Sequence, residues 1–218
     1  MLKAVIFDMD GVIVDSEPLH RKAYDLMFEE VNIQVSDALY ESYTGKATLP
    51  ICQDLCQQFN LKALPETLVA LKRKHYRYLF DNDQSFTLID GVLDLIKDYH
   101  SNGLTLVLGS SASMPNIERI FDRFELNRYF KAKLSGADLN QSKPHPEIFI
   151  KAAQASGYSH KECMVIEDST NGIEAARAAD IFCVGYDSKH SKNQDYSLAD
   201  QVITDFKSIS FDRLSHLF

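Results

Sequence analysis

The sequence predicts an α/β fold, an open, doubly wound parallel sheet with an all-helical segment inserted after its first strand. Three observations lead there. Apolar runs of strand length recur beyond residue 91, each followed by a helical stretch, and strands alternating with helices pair in parallel through right-handed crossovers. The first apolar run, 4–7, is separated from the next strong one, 104–109, by four helical stretches with no convincing strand between them. A chain of 218 residues also suits one large domain carrying a smaller insertion. The expected organisation is a core of residues 1–14 and 91–218 with a helical domain of residues 15–90.

Taken in order, Ala4, Val5, Ile6 and Phe7 form an unbroken apolar run, as expected of a strand covered on both faces. Asp8 ends it, Asp10 projects to the same side with Met9 turned away, and Gly11 permits a tight turn. Two carboxylates facing one point repel, so the pair implies a cation, a shared proton or chemistry that uses both. Ser16 is placed to cap a helix that accepts Pro18 in its first turn and runs to about residue 31. Apolar residues at three- and four-residue spacing predict further helices over 36–43, 48–59 and 65–80. The chain is expected to cross between the two domains near Val14 and again between Leu88 and Gly91. Beyond that point the pattern alternates: helix 92–100, strand 104–109, helix 115–124, a weaker strand 133–135, helix 146–156, strand 163–166, helix 172–179 and strand 182–185. Residues 187–196 read as a surface loop, 199–204 as an edge strand and 210–217 as a closing helix.

Apolar residues at 45% and charged ones at 25% are ordinary for a globular protein. A net charge of -8 argues against a general nucleic-acid or anionic-membrane partner, and points instead to a small anion held by a local cluster of basic groups. No apolar run approaches the roughly 18 residues that a membrane span needs, and the first strand follows no basic-then-apolar leader, so a cytoplasmic protein is expected, a monomer by default. The four cysteines lack any Cys-x-x-Cys spacing and are expected to be free thiols. Cys52 and Cys56, four residues apart, are read as helix packing rather than as a metal pair.

In a sheet of this kind, polar residues just past each strand share one rim, where ligands bind. Asp8 and Asp10 follow the first strand, Ser110 and Ser111 the second, Glu167 and Asp168 the strand at 163–166, and Lys143 precedes the helix at 146. Four carboxylates are hard oxygen donors suited to Mg²⁺, and serine, lysine and free N–H groups at helix starts suit phosphate. Each residue alone has a plainer reading. Ser110 caps a helix, Lys143 is a solvated charge, Glu167 and Asp168 favour a helix dipole, and Asn171 with Glu174 makes a capping pair. Their joint occurrence at strand ends is what favours phosphoryl chemistry.

At these residues the chain resembles the haloacid dehalogenase superfamily, and within it the helical-cap subgroup that contains β-phosphoglucomutase and sugar-phosphate phosphatases. Asp8-Met9-Asp10-Gly11-Val12 matches the first motif of that superfamily, Ser110 the second, Lys143 the third and Glu167-Asp168-Ser169 the fourth. The resemblance implies that residues 15–90 are a cap, that Asp8 is a nucleophile forming an aspartyl-phosphate, and that Asp10 is the acid and base. It also implies a Mg²⁺ ion on the Asp8 carboxylate, the Asp10 carbonyl and Asp168, with Glu167 close by or acting through water. Lys143 and Ser110 would hold the phosphoryl oxygens. Asp10, farther from the metal and Lys143, is expected to be the carboxyl that keeps a proton.

The implied partner is a small phosphorylated metabolite, with His20, Gly45, Lys46 and Ser111 as candidate substrate-binding residues. Where the mutases carry a Gly-x-x-Arg loop that grips a second phosphate, this chain has Gly45-Lys46-Ala47-Thr48, and a lysine point charge does not reproduce a guanidinium fork. Hydrolysis of a sugar phosphate is therefore the first expectation, a phosphosugar mutase the alternative, and a non-catalytic binding protein a third. Lys46, Lys72, Lys74 and His75 have two readings, contact with an anionic group beneath the cap or the solvated faces of its helices, and the second is favoured for most of them.

Overall fold

The computed structural model describes residues 1–187 and 193–214, so parts of the loop expected at 187–196 and of the helix expected at 210–217 lie outside the described residues. Strand β1 (Ala4–Phe7) is wholly buried. It runs between β2 (Thr105–Ser110) and β4 (Cys163–Glu167), pairing in parallel with both. With β3 (Phe130–Ser135), β5 (Phe182–Tyr186) and β6 (Gln201–Ile203) it forms a six-stranded parallel sheet of order β3-β2-β1-β4-β5-β6. The chain winds outward from β1 through β2 to β3, then returns to the other side of β1 for β4, β5 and β6. The switch in direction falls between β1 and β4, where a crevice opens at the strands' carboxyl ends.

Alternation along β1 divides the core in two. Val5 and Phe7 face a cluster with Leu95, Ile96 and Tyr99 of α5 (Val92–Ser101) and Ile117, Ile120 and Phe121 of α6 (Met114–Arg123). Ala4 and Ile6 face Phe149 and Ala152 of α7 (Glu147–Ser156) and Ile173 and Ala176 of α8 (Thr170–Ala178). Each such large side chain contributes roughly 1.5–3 kcal/mol by burial. A short α9 (Phe211–Leu214) closes the described chain.

Between β1 and α5 lie only helices: α1 (Glu17–Glu30), α2 (Asp37–Glu41), α3 (Thr48–Gln58) and α4 (Pro65–Asn82). Tyr24, Met27 and Phe28 of α1 meet Ile51, Cys52 and Leu55 of α3 and Leu68 of α4 in a separate apolar cluster. Leu19 and Ala23 of α1 and Tyr76 and Phe80 of α4 join the main core instead, so these two helices tie the helical segment to the sheet. The two chain crossings run side by side, with the Ile89 N–H donating to the Ile13 carbonyl at 3.0 Å and Val14 bridged to Leu88. All four cysteines are free, and among the described residues no helix is long and apolar enough to cross a membrane.

Several elements depart from the sequence reading. Strand β3 begins three residues earlier than expected, at Phe130, because an edge strand leaves one flank to water and so carries Lys131 and Lys133 without an apolar run. Helix α8 begins at Thr170, and Ser169 caps it by accepting from the Gly172 N–H. The plainer reading of Asn171 with Glu174 as a capping pair thus gives way to a hydroxyl two residues earlier. Ser16 sits at the N-cap of α1 without capping it, its hydroxyl donating to Asp10 instead.

Candidate active site

The crevice at the switch point gathers most of the residues singled out in the sequence. The Asp8 N–H donates to the Ile166 carbonyl at 3.0 Å, which sets the end of β1 level with the end of β4. Asp8, Glu167 and Asp168 are all buried there. Lys143 arrives from the loop before α7, and its ammonium donates to Asp8 Oδ1 at 2.5 Å and to Glu167 Oε1 at 2.6 Å. Burial alone would pull this lysine down, but the two carboxylates outweigh it and hold the ammonium well above its usual range. Burial pushes the Asp8 carboxyl up, with Glu167 and Asp10 adding to the rise, against the opposing pull of Lys143.

Glu167 is fully committed. Its Oε2 accepts from the Ser169 N–H at 2.7 Å and from the Ser169 hydroxyl at 3.0 Å, while Oε1 holds Lys143. A β-carbon on Gly172 would fall inside this carboxylate, so the glycine in the first turn of α8 is what lets Glu167 lie there. The geometry makes Glu167 an anchor for Lys143, where the sequence reading placed it near the metal.

Asp10 belongs to a different network. Oδ1 accepts from Ser16 and from His20 Nε2, the latter at 3.2 Å. Lys72 Nζ lies 2.7 Å from His20 Nδ1, so with Lys72 protonated the imidazole presents its Nε2–H to Asp10. His20 stacks on Tyr76, and Lys72 lies 5.0 Å from the ring centroids of both Tyr24 and Tyr76. Burial raises Asp10, yet His20, Ser16 and Lys72 together hold its carboxyl below the usual range. The sequence reading has Asp10 as the carboxyl that keeps a proton; before a metal or phosphate binds, its surroundings favour the carboxylate. The reason is that the helical segment surrounds it with donors and cations. Lys72 is also no solvated charge: it is 4% exposed, and burial pulls its ammonium down to about 8.

A cavity of about 350 Å³ opens above these groups, lined from below by Asp8, Asp10, Asp168 and Ser111, and from α1 by Glu17, His20, Arg21 and Tyr24. Gly45, Lys46 and Thr48 line it from the helical segment. Ser111 donates to the Gly45 carbonyl at 2.8 Å, and Asn171 Nδ2 to the Thr44 carbonyl at 2.6 Å, so this loop is held against the sheet's rim. Ser110 is fully buried, its hydroxyl oxygen accepting from the Ala112 N–H at 3.1 Å, and it is not among the residues lining this cavity. Sequence reasoning missed Glu17, Arg21 and Tyr24, although residues spaced by four and three lie on one helix face. It favoured a solvated helix face for Lys72 although 68, 72, 76 and 80 form the buried row of α4.

Among the described residues no three His, Cys, Asp or Glu side chains cluster as a metal site. Of the four carboxylates at the rim, the Asp10 side chain faces Ser16 and His20 and Glu167 faces Lys143, so the donors that fit Mg²⁺ are those the resemblance implied, without Glu167. Asp8 and Asp168 remain. A β-carbon on Gly11 would fall inside the Asp168 carboxylate, which sets that carboxylate against the backbone beside the Asp10 carbonyl. Two carboxylates and a carbonyl, with water completing the shell, are the oxygen donors that Mg²⁺ takes.

A family model for haloacid dehalogenase-like hydrolases matches residues 2–180, and the chain belongs to that family. It is 30% identical over 176 residues to fructose-1-phosphate phosphatase YqaB of Escherichia coli, covering 80% of this chain and 91% of that protein. It is 28% identical to hexitol phosphatase B of the same species, covering 81% of this chain and 79% of the relative. Among solved structures, β-phosphoglucomutase of Clostridium difficile superposes with a TM-score of 0.87 at 25% identity, over 99% of this chain and 96% of that one.

Proposed function

We propose that this hydrolase is a Mg²⁺-dependent phosphatase that cleaves a small sugar or polyol phosphate through an aspartyl-phosphate on Asp8. The observation that carries the reading is the separation of two neighbouring carboxylates into different networks, Asp8 with Lys143 and Asp10 with His20 and Ser16. Pairs of titratable groups in contrasting surroundings divide nucleophilic and acid-base work between them. The phosphatase names of two relatives support the substrate class.

In this reading Lys143 aims Asp8 at the phosphorus and neutralises part of the phosphoryl charge, while Glu167 fixes Lys143. Asp8, Asp168 and the Asp10 carbonyl would hold Mg²⁺, which would supply positive charge favouring the Asp8 carboxylate and offsetting charge on the transferring group. An Asp8 oxygen bonds to phosphorus as the bond to the sugar oxygen breaks, and Asp10 gives that oxygen its proton. The incoming phosphate dianion is what raises Asp10 enough to carry that proton, since a neighbouring like charge disfavours the carboxylate. Water then loses a proton to Asp10 and attacks phosphorus, releasing phosphate and restoring Asp8. Residues 15–90 act as a cap over a core of 1–14 and 91–218, enclosing the cavity during the reaction.

The likeness to a solved β-phosphoglucomutase favours a second reading, a phosphosugar mutase. Against it, the loop Gly45-Lys46-Ala47-Thr48 lacks an arginine. The test is phosphate release from an aryl phosphate and from hexose monophosphates, with Mg²⁺ and with excess chelator, for wild type and Asp8→Asn. We expect metal-dependent release and a loss of at least about a thousandfold in the variant. Undiminished release in chelator or by a folded Asp8→Asn protein overturns the reading. Conversion of β-glucose 1-phosphate to glucose 6-phosphate, with a trace of bisphosphate and little free phosphate, would establish the mutase.

A further inference from the structure

Glu17 is a carboxylate on the wall of the cavity that the proposed chemistry does not use. It opens α1, and with Arg21 and Tyr24 it forms one face of that helix turned toward the cavity. Burial raises its pKa, against the opposing pull of His20 and of the nearby Tyr40 phenol, itself a cavity-lining group. A carboxylate offers about four acceptor positions.

The basic groups around Glu17 are already engaged. Arg21 is shared between Asp25, at 3.0 Å and 3.2 Å, and Asp37, at 2.9 Å, and it lies 4.6 Å from the centroid of the Tyr40 ring. Lys72, behind the wall, is bound to His20. Lys46 is the cation of the Thr44–Thr48 side of the cavity, set 5.7 Å from the Tyr43 ring. The end of the cavity next to Glu17 therefore presents a carboxylate and the phenols Tyr24 and Tyr40, with its guanidinium neutralised. That chemistry accepts hydrogen bonds from hydroxyl groups and repels a phosphate.

Resting on the phosphatase reading above, we propose that Glu17 selects the substrate: it accepts hydrogen bonds from the hydroxyls of a monophosphorylated polyol or sugar and excludes a second phosphate at the far end. A site built to hydrogen-bond a hydroxyl discriminates strongly against ligands lacking it, because its buried acceptor is otherwise left unpaired. A bisphosphate meets a like charge in a small cavity, where screening by water is weak.

The experiment compares kcat/KM for fructose 1-phosphate, fructose 1,6-bisphosphate and p-nitrophenyl phosphate, each with Mg²⁺, for wild type, Glu17→Gln and Tyr40→Phe. Wild type is expected to prefer the monophosphate over the bisphosphate by about a hundredfold or more. In Glu17→Gln the ratio of monophosphate to aryl phosphate activity falls about tenfold or more, chiefly through KM, and the ratio of bisphosphate to monophosphate activity rises by a similar factor. Tyr40→Phe, which leaves the carboxylate in place, moves both ratios in the same direction by less. Melting temperatures accompany each variant, and if Glu17→Gln does not fold, Tyr40→Phe decides the matter by its ratios. Unchanged ratios in a folded variant, or a bisphosphate that wild type cleaves as well as the monophosphate, overturn the proposal. Wild type that cleaves none of the three compounds overturns the phosphatase reading itself, a result distinct from unchanged ratios.

Discussion

Asp8 and Asp10 stand two residues apart, yet one is bonded to a buried lysine of the sheet's rim and the other to a serine and a histidine of the helical insertion. The pair was legible in the sequence because an acidic residue ending a fully apolar strand has no packing reason to be there. Lys72 was not legible as a buried cation, because a charge on a helix is normally solvated, and only its place in the row Leu68, Lys72, Tyr76 and Phe80 marks the buried face. Its lowered pKa, about 8, has a consequence for stability. The unfolded chain holds this proton up to about 10.5. Between the two values the unfolded state binds more protons than the folded one, so stability rises with pH in that window and is constant with respect to this group below it. Replacing Lys72 with Met removes the rise. In urea unfolding at pH 7.5 and pH 10, the advantage of Lys72→Met over wild type should shrink by roughly 1–2 kcal/mol as pH increases. An advantage that stays constant or grows contradicts this account of Lys72.

At the scale of elements, the first turn of α8 does more than begin a helix. Ser169 caps it and binds Glu167, and Gly172 leaves the space in which that carboxylate meets Lys143. Helix propensity alone predicts that Gly172→Ala stabilises by about 1 kcal/mol. Displacing a buried carboxylate from its donors costs more, about 1–3 kcal/mol. We therefore expect a lower melting temperature and a loss of activity of about tenfold or more, measured by thermal unfolding and by aryl phosphate turnover. A variant that is both more stable and fully active would show that Glu167 does not need this position. The motif Glu167-Asp168-Ser169 was visible in the sequence as acidic residues before a helix, but which carboxylate faces a lysine depends on Lys143, 24 positions away. Spacing along one strand end carries no information about that partner.

Across the whole molecule, the alternation of apolar runs and helices after residue 91 was enough to predict the parallel sheet, and the long gap between the first two strands was enough to predict the helical insertion. The closure of the insertion onto the rim was not readable, because it rests on side chains reaching backbone carbonyls distant in sequence, Asn171 to Thr44 and Ser111 to Gly45. The sheet's switch point, the two carboxylate networks and the cavity above them all lead to one claim, that Asp8 carries the phosphoryl group between substrate and water. The most direct measurement is to quench wild-type protein during turnover of a hexose monophosphate with Mg²⁺, reduce it with borohydride and sequence the N-terminal peptide by mass spectrometry. An aspartyl-phosphate is reduced to homoserine, so the account predicts homoserine at position 8 that requires both substrate and Mg²⁺. Turnover with Asp8 unmodified, or with the reduced residue at another position, would contradict it.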